Sequence, residues 1–443
     1  MTMGILALAF ATPGSAPRAA EASGLKLSGS IRLRQESLDG QYRPDFDDKD
    51  DMLTLRSSLQ AEWTHGAWKL LGEISDSRAY DTDAGSVLTS NEVNTFEPVQ
   101  AYVSRDFANP FGKGSSATVQ AGRMLMNLGS RRLIASDEFR NTPQGSTGLR
   151  TDLRFADRTQ WTLFYVLPQQ RRPDDFASLR DNKAHLDHEG FDQQLFGAFV
   201  SKPVLAGGAK AELNYVRFDE DDGSRATRNR KLQNFGARLY RDAAAGVTDY
   251  ELEGIFQTGD IRASTAPAAA RLDVRSYFVH AEIGHSWSLA WKPHLSVEFD
   301  YASGDGPGAD YQRFDTLFGM RRADLAPSGI YGAIGRANLQ ALGLRLETVP
   351  TSRFDVFGSY RALWAADDRD SFSTTGIRDA SGAAGRFAGH QFDGRARYWI
   401  VPQKLRAEVN AVWLMRGELL RHAPNASPHG DTHYLSAAIT LSY

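Results

Sequence analysis

The sequence predicts an all-β fold, namely a transmembrane antiparallel β-barrel of 18 strands with short turns at one end and long loops at the other. Three observations predict it. Segments of alternating apolar and polar residues recur along the chain, and the gaps between them alternate between short and long. The last ten residues, 434–443, form a strand with one apolar face that ends in the aromatic Tyr443. Such a strand is typical of a barrel that closes in lipid, where no sheet edge is left unpaired.

Composition excludes several other classes of protein. The 443 residues contain no Cys, so disulfide frameworks, thiolate zinc sites and Cys nucleophiles are excluded. The 51 basic and 54 acidic residues give a net charge of -3, which gives no reason to expect a nucleic-acid partner. The sequence contains no run of about 20 apolar residues, so no membrane-spanning helix is predicted.

The N-terminus has the features of a secretory leader. Residues 3–11 are almost entirely apolar, and Ala20-Glu21-Ala22 fits the small-x-small rule for signal-peptide cleavage. We therefore predict a signal peptide at residues 1–22 and a barrel domain at residues 23–443.

The alternating segments are long enough to cross a bilayer at a tilt, which takes about 9–11 residues per strand. An even number of them is expected for a single-chain bacterial barrel. The 18 predicted strands lie at 27–37, 52–63, 68–75, 97–106, 116–124, 147–156, 159–168, 190–201, 208–218, 230–241, 248–257, 273–286, 293–303, 334–347, 353–362, 388–400, 404–416 and 432–443.

The gaps sort into two kinds. Short turns occupy 156–158, 286–292, 349–352 and 401–403, whereas long polar loops occupy 76–96, 169–189, 304–333, 363–387 and 417–431. Outer-membrane barrels have short turns on the periplasmic side and long loops outside the cell. We therefore expect both termini in the periplasm. We also expect residues 314–319 of the longest loop to fold into the lumen.

The two faces of the strands predict which side meets lipid. One face has large aromatic residues near segment ends, where a barrel places a ring of side chains at headgroup depth. The predicted ring contains Trp63, Trp68, Trp161, Tyr165, Phe199, Tyr215, Tyr277, Tyr301, Tyr360, Tyr398, Trp413 and Tyr443. The other face has many charged residues, which a dry core would bury at a cost of several kcal/mol each. This face is therefore predicted to line a water-filled lumen.

Several motifs point to one family. They are Gly122-Arg123, the run 129–134 with Phe139-Arg140-Asn141, the runs 300–305 and 314–318, Gly389-His390-Gln391-Phe392-Asp393, and the run 413–418. Together they make the chain resemble the alginate-export family of outer-membrane barrels. The resemblance implies a monomeric barrel of 18 strands in the outer membrane of a Gram-negative bacterium, surrounded by lipid and lipopolysaccharide. It also implies an anionic polysaccharide or oligosaccharide as the transported partner, with periplasmic export components as further partners.

Arginine is the residue expected to line such a channel, because its planar guanidinium donates two parallel hydrogen bonds to a carboxylate. Rings of Arg or Lys are the usual device of anion pores. From strand parity and loop position we predict a constriction formed by Arg56, Arg123, Arg140, Arg150, Arg361 and Arg395, with Arg32, Arg34, Arg397 and Arg406 also facing inward. The alternative is structural: these arginines pair with wall carboxylates and stiffen the barrel.

Other functions remain open as alternatives. The barrel is expected to be a passive channel without catalytic residues, cofactor or metal, and the main alternative is a general or small-acid porin. A barrel hydrolase is a further alternative, because its catalytic residues can come from scattered strands. The acidic loop 45–51 lacks the central Gly and terminal Glu of an EF-hand.

Overall fold

The computed structural model describes residues 23–203, 205–223, 225–321 and 324–443; the predicted signal peptide lies outside these residues. Within them the chain forms 18 strands and two short α-helices. The helices are α1 (Phe176–Arg180) and α2 (Glu418–His422). The strands are β1 Gly24–Asp39, β2 Lys49–His65, β3 Trp68–Tyr80, β4 Asn94–Ala108, β5 Ser116–Leu125, β6 Gly145–Arg154, β7 Gln160–Pro168, β8 Gln193–Lys202, β9 Lys210–Glu220, β10 Lys231–Arg241, β11 Thr248–Arg262, β12 Arg271–Ser286, β13 His294–Ala302, β14 Leu339–Thr351, β15 Phe354–Trp364, β16 Phe387–Val401, β17 Leu405–Arg416 and β18 Thr432–Ser442.

The sheet closes on itself. Each strand pairs antiparallel with the next, and β18 pairs antiparallel with β1 from Ser30↔Ser442 to Asp39↔His433. The amide of Gly29 donates to the Tyr443 carbonyl at 3.0 Å, and the Tyr443 amide donates back to Gly29 at 3.1 Å. The predicted closing strand is confirmed, and closure removes the edge that an open sheet would expose.

The predicted strands and connections agree with the structure apart from their boundaries. Short connections such as 66–67 and 352–353 alternate with long loops such as 169–192 and 303–338. The strand predicted at 334–347 begins only at Leu339, because the buried residues Ile334 and Arg336 belong to the long loop before it. No α-helix among the described residues is long and apolar enough to cross a membrane.

The strand faces are oriented as the sequence predicts. Large apolar side chains such as Leu252, Tyr277 and Leu435 are exposed on the outside of the barrel, and charged side chains lie inside. The prediction is wrong for one member of the aromatic ring. Phe199 is buried and packs beside Phe164, with its ring centroid 6.4 Å from that of Phe164, because the inward face of this part of the wall is covered by a loop.

Two long loops enter the lumen and pair with each other. We number the long connections in chain order, so that loop 3 is 126–144, loop 4 is 169–192 and loop 7 is 303–338. Ile134 of loop 3 forms a parallel bridge with Phe318 of loop 7, which confirms that segment 314–319 folds inward. Loop 7 then packs against Phe278 on β12 and Tyr434 on β18. The largest buried apolar cluster therefore lies inside the barrel, where loops fill the space between the walls.

Candidate functional site: the inner wall of the barrel

Three arginines form one row across neighbouring strands of the inner wall. Arg56 on β2 lies opposite Arg32 on β1, Arg32 lies opposite Thr440 on β18, and Thr440 lies opposite Arg406 on β17. We call Arg56, Arg32 and Arg406 the arginine row. Side chains that lie opposite each other on one face of a sheet are close neighbours, and like charges there repel. The row is therefore a concentrated patch of positive charge.

Two arginines of the row are held by neutral groups. Arg32 donates to the carbonyl oxygens of Glu138 at 2.9 Å and Arg140 at 2.7 Å, and Arg56 donates to the Arg140 carbonyl at 3.3 Å. These acceptors belong to loop 3. They position the guanidinium groups without cancelling their charge, so the row keeps a net positive charge next to the loop that narrows the lumen.

The neighbouring strand β16 adds two arginines that share one carboxylate. Arg395 and Arg397 on β16 both reach Asp355 of β15, at 3.3 and 2.9 Å. Arg406 lies 3.6 Å from Glu408. All three arginines are partly exposed on the inner wall. With the arginine row they form a basic arc from β16 through β18 to β2, in which five arginines face two paired carboxylates.

Two further predicted site residues are buried more deeply than Arg32, which is 8% exposed, and they anchor loops to the wall. Arg361 is 1% exposed, forms an ion pair with Glu298 at 2.6 Å and donates to the Leu325 carbonyl of loop 7 at 3.2 Å. Arg34 pairs with Glu36 at 3.0 Å and donates to the Phe139 carbonyl of loop 3 at 2.7 Å. Their positions match the structural alternative, in which arginines fix loops to the wall.

The guanidinium groups of the other three predicted residues pair with carboxylates outside the basic arc. Arg123 pairs with Glu97 and, at 2.5 Å, with Glu189 of loop 4. The remaining pairs are Arg150 with Asp152 at 2.8 Å on β6, and Arg140 with Asp137 at 2.9 Å within loop 3. The structure therefore brings together Arg32, Arg56, Arg395 and Arg397. Arg140 contacts this group through its backbone carbonyl, while its guanidinium pairs with Asp137. Arg123 and Arg150 lie apart, on β5 and β6.

An acidic row lies on the other side of the barrel. Glu251 on β11 is opposite Glu282 on β12, which is opposite Glu298 on β13. The outer two have arginine partners, since Glu251 pairs with Arg238 at 2.6 Å and Glu298 pairs with Arg361. The lumen therefore has a basic side and an acidic side.

A buried ion cluster joins loop 3, loop 7 and the acidic side. Arg132 of loop 3 pairs with Asp324 of loop 7 at 2.8 Å and also with Glu251 and Glu253 of the wall. Burial by itself would lower the pKa of Arg132, but these three carboxylates outweigh it and raise the pKa above its ordinary value. Arg132 is therefore charged at all physiological pH values and fastens both loops to the wall.

The same cluster contains a residue that the sequence analysis did not select. Arg336 is buried, pairs with Asp324 and donates to the Met320 carbonyl at 2.6 Å. The sequence placed it in a predicted strand, although the Gly-rich run 329–335 just before it indicates a loop. That composition is the one sequence signal that could have placed Arg336 in the loop.

Comparison with known proteins assigns the family. A family model described as alginate export matches residues 24–432. The chain belongs to the alginate-export family. No curated protein matches it at a significant level.

Solved structures share the fold. OccAB1 of Acinetobacter baumannii is similar with a TM-score of 0.61 and 11% identity, covering 95% of this chain and 96% of that one. OccK9 (OpdG) of Pseudomonas aeruginosa has a TM-score of 0.60 and 12% identity, covering 94% and 98%. OccK2 (OpdF) of Pseudomonas aeruginosa, solved in complex with glucuronate, has a TM-score of 0.56 and 14% identity, covering 97% and 100%.

The family and the fold together define the broad role of the chain. It is a channel in the outer membrane of a Gram-negative bacterium. Members of this family are passive channels, so the barrel-hydrolase alternative is set aside.

Proposed function

We propose that the channel passes acidic sugars of the uronate class along the basic arc of its inner wall. The arginine row is the observation that supports this most directly. Arg32 and Arg56 hold positive charge beside loop 3 and are bonded to carbonyl oxygens, so they attract an anion without being neutralised by a carboxylate. A passing sugar carboxylate can exchange from one guanidinium to the next along the arc.

Uronate chemistry is common to both kinds of relative. Alginate is a polymer of uronates, and the OccK2 structure was solved in complex with glucuronate, a monomeric uronate. A uronate combines a carboxylate, which arginine binds in a bidentate geometry, with hydroxyl groups that need polar wall partners. The carboxylates Asp355 and Glu408 within the arc compete for the same arginines, which limits how tightly a solute is held and favours its release.

The filled lumen favours small solutes over an extended chain. Loop 3 and loop 7 meet in the middle of the barrel, and their apolar side chains, such as Ile134 and Phe314, are buried there. We therefore place single uronates and short oligosaccharides first. Passage of a polysaccharide, which the family description favours, is the second candidate and requires loop 7 to move aside.

Solute competition in a planar bilayer tests the proposal. We expect glucuronate added to one side to reduce the chloride current through the purified channel in a concentration-dependent way. Glucose is the matched control, because it has the same ring without the carboxylate, and it should leave the current unchanged. If both sugars reduce the chloride current equally, or if neither reduces it, a uronate pathway is contradicted.

A second measurement separates the two candidates. Vesicles that contain the channel should swell in isotonic glucuronate at a rate that falls steeply for tri- and tetra-uronates. If oligomers of increasing length pass equally well, the polysaccharide candidate is favoured. The monomeric state remains a prediction, which mass determination in detergent would test. Association with periplasmic export components also remains a prediction, which pull-down from cell envelopes would test.

A further inference from the structure

Three potential metal ligands converge at the periplasmic end of the inner wall. Asp249 on β11, Glu282 on β12 and His294 on β13 each place a ligand atom within 4.8 Å of the other two. His294 Nε2 already lies 3.1 and 3.0 Å from the two carboxylate oxygens of Asp249. The residues come from three strands, so their proximity could not be read from sequence spacing.

Gly284 makes room for this cluster. It lies between Asp249 on one side and Ser296 on the other in the strand register. A Cβ atom at this position would overlap His294 Nε2 and lie 2.7 Å from Asp249 Oδ2. The missing side chain therefore leaves a gap across β12 through which the imidazole and the carboxylate meet.

Glu282 is the member of the acidic row for which the described residues provide no ion pair. Its neighbours Glu251 and Glu298 are paired with Arg238 and Arg361. Among the described residues, no hydrogen bond or ion pair is found for the Glu282 carboxylate. A carboxylate between two others is repelled by both, so this position attracts a cation.

We propose that Asp249, Glu282 and His294 bind a divalent transition-metal ion, with Zn²⁺ as the best match. Zinc takes His nitrogen and carboxylate oxygen at about 2.0–2.2 Å, which places tetrahedral ligands about 3.4 Å apart. Asp249 and His294 are already near that separation, and the ligand set closes when the flexible Glu282 side chain moves inward. Calcium fits less well, because it takes oxygen ligands only.

The ion would have an open fourth position that faces the lumen. Three protein ligands with one free position is the arrangement of zinc sites that exchange a bound water or solute. A bound cation would also offset the charge of the acidic row. It would therefore make the acidic side of the lumen less repellent to anions, independently of which solute the channel transports.

Metal binding to the purified full-length channel in detergent tests the proposal. We expect one site in competition titrations of Zn²⁺ against a chromophoric chelator. Loss of a second-shell partner alone costs roughly 10–100-fold in metal affinity, so His294→Ala and Glu282→Gln should each weaken binding at least that much. With Co²⁺ as a probe, the unmodified channel should show the visible absorption of a tetrahedral nitrogen–oxygen site, and His294→Ala should abolish it.

Glu347→Gln is the matched control. Glu347 lies directly opposite His294 in the register of β13 and β14, but it pairs with Arg345 at 2.5 Å. The Glu347→Gln substitution removes one carboxylate charge from the residue opposite His294 without removing a proposed ligand. The proposal is wrong if Glu347→Gln weakens Zn²⁺ binding as much as Glu282→Gln. It is also wrong if the unmodified channel gives no tetrahedral Co²⁺ spectrum.

Discussion

The guanidinium of Arg361 and the carboxylate of Glu298 form a 2.6 Å ion pair between β15 and β13, with side-chain exposures of only 1% and 4%. The same guanidinium also reaches the backbone of loop 7, at the carbonyls of Asp324 and Leu325. One buried pair therefore joins two strands of the wall to the loop that crosses the lumen. This loop, held from several sides, determines how much of the barrel is open.

Removing Arg361 should loosen loop 7. Arg361→Gln leaves Glu298 buried without a partner, which costs about 3–5 kcal/mol, and releases the loop carbonyls. We expect single-channel recordings to show larger and noisier conductance than the unmodified protein. The double variant Arg361→Gln/Glu298→Gln removes the unpaired charge but not the lost loop contacts, so it should regain thermal stability while its conductance stays raised. Unchanged conductance in the single variant would show that this pair does not hold the loop.

Barrel closure should depend on a glycine beneath the terminal aromatic ring. The Tyr443 ring lies over Gly29 and its hydroxyl donates to the Ser58 carbonyl at 3.3 Å. A Cβ at Gly29 would overlap the Ser58 carbonyl oxygen and lie 2.6 Å from that ring. Gly29→Val should therefore reduce the folded, heat-modifiable fraction seen on gels after assembly. Gly358→Val is the control, since no atom lies within 4 Å of a Cβ there; equal losses in both variants would contradict the argument.

Loop 4 should be held more firmly at acidic pH. Asp187 accepts from Asn94 at 3.1 Å and from the Arg172 amide at 2.9 Å, and burial raises its pKa from 3.8 to about 7. A raised folded-state pKa gives stability that is complete below about pH 4 and is lost as pH rises through about 7. We expect limited proteolysis within 169–192 to be faster at pH 8 than at pH 5, after correction for protease activity.

Two variants separate this effect from general pH sensitivity. Asp187→Asn is neutral at both pH values, so its loop should be cut at rates that no longer depend on pH. Asp181→Asn changes an exposed carboxylate of the same loop and should keep the dependence of the unmodified protein. If Asp187→Asn retains the full dependence, a different group is responsible.

The barrel could be predicted from sequence because its pattern is local. Period-2 alternation specifies which side chains meet lipid, and the regular alternation of turns and loops specifies the strand count. The assignment of side chains to the lipid side failed where a loop inside the barrel, rather than a neighbouring strand, surrounds the side chain. Phe199 was assigned to the lipid side, but it is buried inside the barrel in a part of the wall that a loop covers.

The candidate site was only partly predictable. Strand parity correctly placed Arg32, Arg56, Arg395 and Arg397 on the inner wall. It could not show that Arg361, on the same face, is buried under loop 7, because that depends on the path of a distant loop. Nor could it show that three arginines share one row, since this requires the register of four strands.

The reversal potential in a salt gradient is the most direct test of the claim that the arginine row makes the channel select anions. We expect anion preference in the unmodified channel and a clear loss of it in Arg32→Gln/Arg56→Gln. The double lysine variant at the same positions should keep the preference. Arg105→Gln, which changes an arginine on the exposed outer surface, should also keep it. Cation preference in the unmodified channel, or unchanged selectivity in the double glutamine variant, would contradict the account.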